Sequence, residues 1–233
     1  MTALTRKNRL NRLAALIFSA AALGLFGLST AGGLDFERLQ KALIEQFGFG
    51  QVGLLRDWQQ MLSAGKGEPE PEKLRRVNDF FNRQFAFDDD IVIWGQSDYW
   101  ATPIEMIGKG RGDCEDFSIA KYYSLINLGI PVAKLRLVYV KALQNGPGGP
   151  VRQAHMVLAY YSSPNSQPLI LDNLNGQVLP ASARRDLLPV YSFNAQGIYL
   201  AKAPTQKIRQ PVSMLARWDE LTARIFCVGA LAK

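Results

Sequence analysis

At 233 residues, 48% hydrophobic and 20% charged, the chain has the composition of an ordinary globular protein with room for one sizeable core. Its formal charge of +7 is concentrated at one end: four of the 27 basic residues and none of the 20 acidic ones lie in residues 1–31, which leaves +3 for the remainder. No basic stripe that would track phosphates remains there, so a nucleic-acid partner is not expected.

The N-terminus carries Arg6, Lys7, Arg9 and Arg12, then an apolar run from Leu13 to Ser29 and a small-residue S-T-A triplet ending at Ala31. A basic start, an apolar core and a small-x-small site describe an export signal. An uncleaved anchor is the alternative, although 17 apolar residues are few beside the ~20 that usually span a bilayer. Residues 1–31 are therefore expected to be an export segment and residues 32–233 a single periplasmic domain, with membrane contact only through that segment if it is retained.

Helical spacing follows. Apolar residues at 36, 39, 43, 44 and 47, then Leu55, Trp58 and Leu62, predict two helices. After the loop GKGEPEPE, Pro71 reads as a first-turn proline, and Leu74, Val77, Phe80, Phe81 and Phe85 give a third apolar face. Asp88, Asp89 and Asp90 read as a solvated turn rather than a metal site. Thr102-Pro103-Ile104-Glu105 has the form of a capping box opening a short helix.

The run GKGRGDCEDFSIAKYYSLINLGIP, from Gly108 to Pro131, organises the rest. Asp113 is an N-cap, Gly129 and Pro131 are stop signals, and the residues between are too apolar all round for a surface helix. Cys114 stands at the first turn, where the helix dipole is expected to lower its pKa and make a nucleophile of it. Beyond Pro131 the pattern alternates. Strands are expected at Val132–Val140, Val151–Tyr161, Pro168–Leu174, Val190–Phe193 and Ile198–Lys202, with QNGPGGP as a loop. Helices first and strands later give an α+β fold with the cysteine helix packed on an antiparallel sheet. Met214, Leu215, Trp218, Leu221 and Ile225 predict a final helix docked on the body.

The chain has one histidine, His155, in AHMVL, and Asp172 follows in LDNLNG. A thiol on a helix start with His and Asp on strands is a nucleophile, base and orienter set. His155 shares a strand face with Gln153 and Val157, and if that face looks at the helix the imidazole can approach the thiol. A disulfide between Cys114 and Cys227 is the structural rival, since an oxidising compartment permits one. Asp113, Glu115 and Asp116 are hard oxygen donors of the kind calcium takes, but spacing alone brings only Asp113 and Asp116 together, and capping with dipole stabilisation is the better reading of the sequence by itself.

GDCED followed by a helix, AHMVL and LDNLNG together resemble the bacterial transglutaminase-like cysteine proteases of the LapG type, from about Trp94 to about Asn194. The resemblance implies a transglutaminase/papain-like fold and a catalytic set of Cys114, His155 and Asp172. It also implies calcium beside the nucleophile, with Asp113, Glu115 and Asp116 as ligand candidates. Its further implications are a large surface adhesin cut near its N-terminus at paired alanines, release of cells from biofilm, and control by the periplasmic domain of an inner-membrane cyclic di-GMP receptor. A transglutaminase or amidase with the same triad, and a non-catalytic calcium- or receptor-binding module, are the competing readings.

Overall fold

The computed structural model describes residues 34–200, 203–207 and 212–228. The export-signal reading of residues 1–31 lies outside the described residues.

Three helices come first: α1 (Phe36–Phe47), α2 (Val52–Gly65) and α3 (Glu70–Gln84). Asp35 caps α1 by accepting from the Arg38 N–H, and Pro71 sits in the first turn of α3 as its sequence predicts. Leu39, Leu43, Trp58, Leu74, Val77 and Phe81 point into the core at helical spacing. A two-residue strand β1 (Ala86–Phe87), a single turn α4 (Asp90–Ile93), helix α5 (Pro103–Lys109) and strand β2 (Arg111–Gly112) follow. The Thr102–Glu105 capping box is formed in both directions. Strands β1 and β2 pair in parallel, Ala86 with Arg111 and Phe87 with Gly112.

Helix α6 (Cys114–Asn127) is the centre of the molecule, and every residue from Asp116 to Leu125 is buried. One flank meets α3 and the other meets a seven-stranded antiparallel sheet. Its strands are β3 (Leu135–Gly146), β4 (Gly149–Tyr160), β5 (Leu169–Leu171), β6 (Leu179–Pro180), β7 (Leu187–Asn194), β8 (Gly197–Leu200) and β9 (Ala203–Lys207). They lie in the order β6-β5-β4-β3-β7-β8-β9. Leu135, Leu137, Met156, Leu158, Leu171 and Phe193 join α6 in the main core. The alternate set, Val138, Val140, Val157, Ala159 and Ile170, forms a second cluster beside a cavity of ≈ 270 Å³. Helix α7 (Val212–Cys227) docks Trp218, Leu221 and Ile225 into the main core, as expected of an amphipathic tail. This is the α+β arrangement expected from the order of elements.

The glycine- and proline-rich QNGPGGP is not a free loop. Strands β3 and β4 continue through it to a Gly146–Gly149 pair and close at Pro147-Gly148. Residues Gly149 to Ala154 are exposed, and beyond the last β7 pair at Ala142 the hairpin from Leu143 to Arg152 is a two-stranded arm. Turn-forming composition marks its tip; the ladder continues because backbone pairing does not require a buried face. Both cysteines are free thiols, which removes the disulfide alternative.

Candidate active site

The start of α6 is built by its own acids. Asp113 accepts from the N–H groups of Glu115 and Asp116 at 3.1 and 3.3 Å, and the Asp116 carboxylate reaches back to the Asp113 N–H at 3.4 Å. Three N–H donors are satisfied by the two carboxylates, which fixes the first turn and with it Cys114. The approach to this turn needs glycine twice. Gly110 ends α5 in the left-handed region at φ 65°. At Gly112 a Cβ would come within 2.7 Å of the Asp116 Cβ, so only a residue without one lets the cap close.

Cys114 is half-buried in this frame. Its thiol donates to Glu115 Oε2 at 2.7 Å, and Glu115 Oε1 accepts from the Tyr139 hydroxyl at 3.2 Å. Without a cation, the environment of the thiol works against the lowered pKa expected from the helix start. Burial pushes the Cys114 thiol up, and the charges of Glu115 and Asp113 push it further.

A second acid group lies directly behind the thiol. Asp90, Asp113 and Asp116 bring one carboxylate oxygen each within 4.8 Å of one another. The short β1–β2 pair is what brings Asp90 there, holding residues 86–88 against 110–112. Asp116 Oδ1 accepts from the Ala101 N–H at 2.7 Å, Asp90 Oδ2 accepts from the Tyr99 N–H, and Asp90 Oδ1 is buried without a hydrogen-bond partner. Burial followed by neighbouring negative charges pushes Asp90 up to about 6 and Asp113 up to about 10, and burial drives Asp116 well up as well. Three converging carboxylates and one orphaned buried oxygen fit a hard cation with oxygen ligands.

The imidazole has its own anchor. His155 Nε2 and Asp172 Oδ1 are 2.7 Å apart, and both residues are buried. Oδ1 also accepts from the Leu174 N–H at 3.0 Å, and Oδ2 accepts from Arg184 Nη2 at 2.6 Å. Burial alone would raise Asp172, but hydrogen bonds from His155, Leu174 and Arg184 hold it down at about 2. The carboxylate is thus ionised, and with Nε2 occupied, Nδ1 is the ring nitrogen left for proton transfer.

Each sequence-predicted residue has a definite place. His155 and Asp172 are joined directly. By strand alternation His155 falls in the set of Val157, whereas Met156, Leu158 and Tyr160 pack with α6. The thiol's hydrogen bond runs to Glu115 and that of the imidazole to Asp172, so the two are not joined to each other in this structure. Asp113 and Asp116 lie in the three-carboxylate group; Glu115 lies beside the thiol. The solvated-turn reading of the Asp88–Asp90 triplet fails for Asp90, which is 5% exposed. Asp88 pairs with Arg111, and Asp89 stands at the N-cap position of α4 without a side-chain cap hydrogen bond, so the three consecutive acids have three different surroundings. Sequence reading missed Asp90, Arg184, Asn82 and Lys121. Lys121 did leave a signal, a lone charge inside an otherwise apolar helix. Nothing in the sequence distinguishes Arg184 from its neighbour Arg185.

The chain matches the family described as bacterial transglutaminase-like cysteine proteinase BTLCP over residues 59–185. It is 39% identical to LapG of Legionella pneumophila, with a TM-score of 0.68, covering 84% of this chain and 99% of that one. An EGTA-treated structure of that protein matches at 39% identity and a TM-score of 0.70, covering 84% and 100%. A calcium-bound structure matches at 40% identity and a TM-score of 0.68, covering 82% and 98%. No curated protein matches.

Proposed function

The chain belongs to the bacterial transglutaminase-like cysteine proteinases, and from that premise we propose that it is a calcium-dependent periplasmic endopeptidase with Cys114, His155 and Asp172 as its catalytic residues. The observations that carry this are the thiol on the capped first turn of α6 and the buried His155–Asp172 pair, 2.7 Å apart.

In this reading the Cys114 thiol leaves Glu115 Oε2 and gives its proton to His155 Nδ1, and the sulfur attacks the scissile carbonyl carbon. The carbonyl electrons move onto oxygen, where the Cys114 N–H at the helix start is a natural donor. As the tetrahedral species collapses, the C–N bond breaks and His155 returns the proton to the leaving amine. Water, deprotonated by His155, then attacks the thioester, and the thiol is regenerated as the acid product leaves. Asp172 keeps the imidazole in one tautomer and stabilises the imidazolium.

Asp90, Asp113 and Asp116 would hold calcium, with Glu115 the adjoining carboxylate. The ion supplies positive charge that offsets the acids now opposing thiolate formation. The donor chemistry of these residues supports this, as does the calcium-bound form of the Legionella relative. Resemblance to the LapG type supports a large surface adhesin as substrate, cut near its N-terminus at paired alanines to release cells from biofilm. It also supports control by the periplasmic domain of an inner-membrane cyclic di-GMP receptor. Residues 1–31 serve as the export segment and residues 32–233 as the protease domain.

The test is cleavage of a peptide carrying paired alanines by the mature domain, in calcium and in EGTA. Cleavage that needs calcium and disappears in Cys114→Ala, with thermal unfolding unchanged, is the expected result. Cleavage that survives Cys114→Ala refutes it.

A further inference from the structure

Lys121 lies in the middle of α6 with 1% of its surface exposed, and the acyl-transfer steps above make no use of it. A lysine there is not the choice that packing favours. Burial brings its ammonium down to about 7 against the pull of Asp172, whereas an apolar side chain of similar volume would carry no such penalty. It stands seven positions after Cys114, two helical turns along the same flank.

Its hydrogen bond leads directly to the imidazole's anchor. Lys121 Nζ donates to Asn82 Oδ1 at 2.7 Å, and Asn82 Nδ2 donates to the main-chain carbonyl of Asp172 at 2.7 Å. These partners fix the orientation of the amide, because the amine needs an acceptor and the carbonyl needs a donor. A flipped amide would oppose two donors at one end and two acceptors at the other. One turn earlier on α3, Asn78 Nδ2 donates to the Gly176 carbonyl at 2.9 Å. Helix α3 therefore grips the turn 172–176 at both ends, while Arg184 holds the Asp172 carboxylate from the other side.

We infer that Lys121 and Asn82 are positioning residues: they form a strut from the cysteine helix to the Asp172 backbone, and so set the Asp172 carboxylate against His155. The functional consequence rests on the catalytic reading of Cys114, His155 and Asp172. The strut itself rests only on the hydrogen bonds.

The protein's single histidine makes the test unambiguous, since one imidazole gives one set of signals. Lys121→Met removes the amine, and Asn82→Asp keeps the Lys121 contact and the volume but removes the donor to Asp172. In both variants the hydrogen-bonded Nε2–H proton resonance of His155 is expected to shift or broaden, with cooperative thermal unfolding retained. On the paired-alanine peptide, kcat is expected to fall roughly tenfold to a hundredfold at unchanged KM. The double variant is expected to be no worse than the weaker single one, because both act through one contact. A native imidazole signal in the folded variants overturns the strut, whatever their activity. If Lys121→Met does not fold, Asn82→Asp decides alone. If the unmodified protein cleaves nothing, the protease reading fails and the imidazole signal still judges the strut.

Discussion

Replacing Asp90 by asparagine isolates what the three-carboxylate group costs and what it holds. Asp90 is 5% exposed, has one oxygen without a partner, and is raised from the usual 3.8 to about 6 by burial and then by the charges of Glu115, Asp98 and Asp89. A raised carboxylate contributes stability at low pH that is lost as pH rises through its folded value. In cation-free protein the slope therefore lies between about pH 4 and pH 6, and the penalty is complete at pH 7. A rise of this size corresponds to about 3 kcal/mol, reduced to about 2 kcal/mol by solvent screening. An asparagine side chain would keep an oxygen for the Tyr99 N–H and remove the charge, so Asp90→Asn is expected to be the more stable protein in EGTA. For a domain of this size the gain corresponds to ~4–8 °C in Tm. In millimolar calcium the order reverses, because the unmodified protein gains binding free energy that the variant has lost. Thermal unfolding at pH 5 and pH 7, in EGTA and in calcium, reads all four numbers. A variant that is less stable in EGTA, or one whose calcium shift is undiminished, would refute the reasoning.

Further outcomes follow from the same geometry. Glu115→Gln removes the carboxylate nearest the sulfur, so iodoacetamide labelling of Cys114 in EGTA should extend to lower pH by roughly one unit or more. Unchanged labelling would mean that burial alone raises the thiol. Asp172, held down at about 2, contributes stability present above pH 4 and lost as pH falls towards 2; the loss is ~2 kcal/mol in acid titrations followed by circular dichroism. Arg184→Met leaves the buried Asp172 carboxylate without its cation and should cost ~3–5 kcal/mol in urea unfolding. A cost under ~1 kcal/mol would show that the neighbouring donors satisfy the carboxylate unaided.

The fold was legible wherever local pattern and burial agree. The helix from Asp113 onward was readable because its cap, its apolar content and its stop signals all point the same way, and α7 was readable from the spacing of Trp218, Leu221 and Ile225. The Thr102–Glu105 box was readable because four residues contain the whole device. The hairpin arm was not, since QNGPGGP has turn composition and the ladder that overrides it comes from residues on either side. The candidate site divides in the same way. Cys114, His155 and Asp172 are chemically conspicuous, each in a short distinctive context. Asp90 and Arg184 are ordinary until tertiary pairing places them, Asp90 through β1–β2 and Arg184 across the carboxylate of Asp172. The direction of the thiol's shift was illegible for a related reason: the dipole and the flanking acids are local to one helix start, whereas the burial that contributes most is brought by other segments.

The β1–β2 pair is only two residues long, yet it brings Asp90 to the acids of α6. So short a ladder has little cohesion of its own, and three carboxylates pressed together work against it. Part of any cation's binding free energy is then spent on closing this clasp. Apparent affinity consequently depends on how stiff residues 86–90 and 110–112 already are, as well as on the ligands themselves. Such an arrangement has an adjustable threshold: substitutions that stiffen or loosen the clasp would move the calcium concentration at which the proposed site fills, leaving its carboxylates as they are.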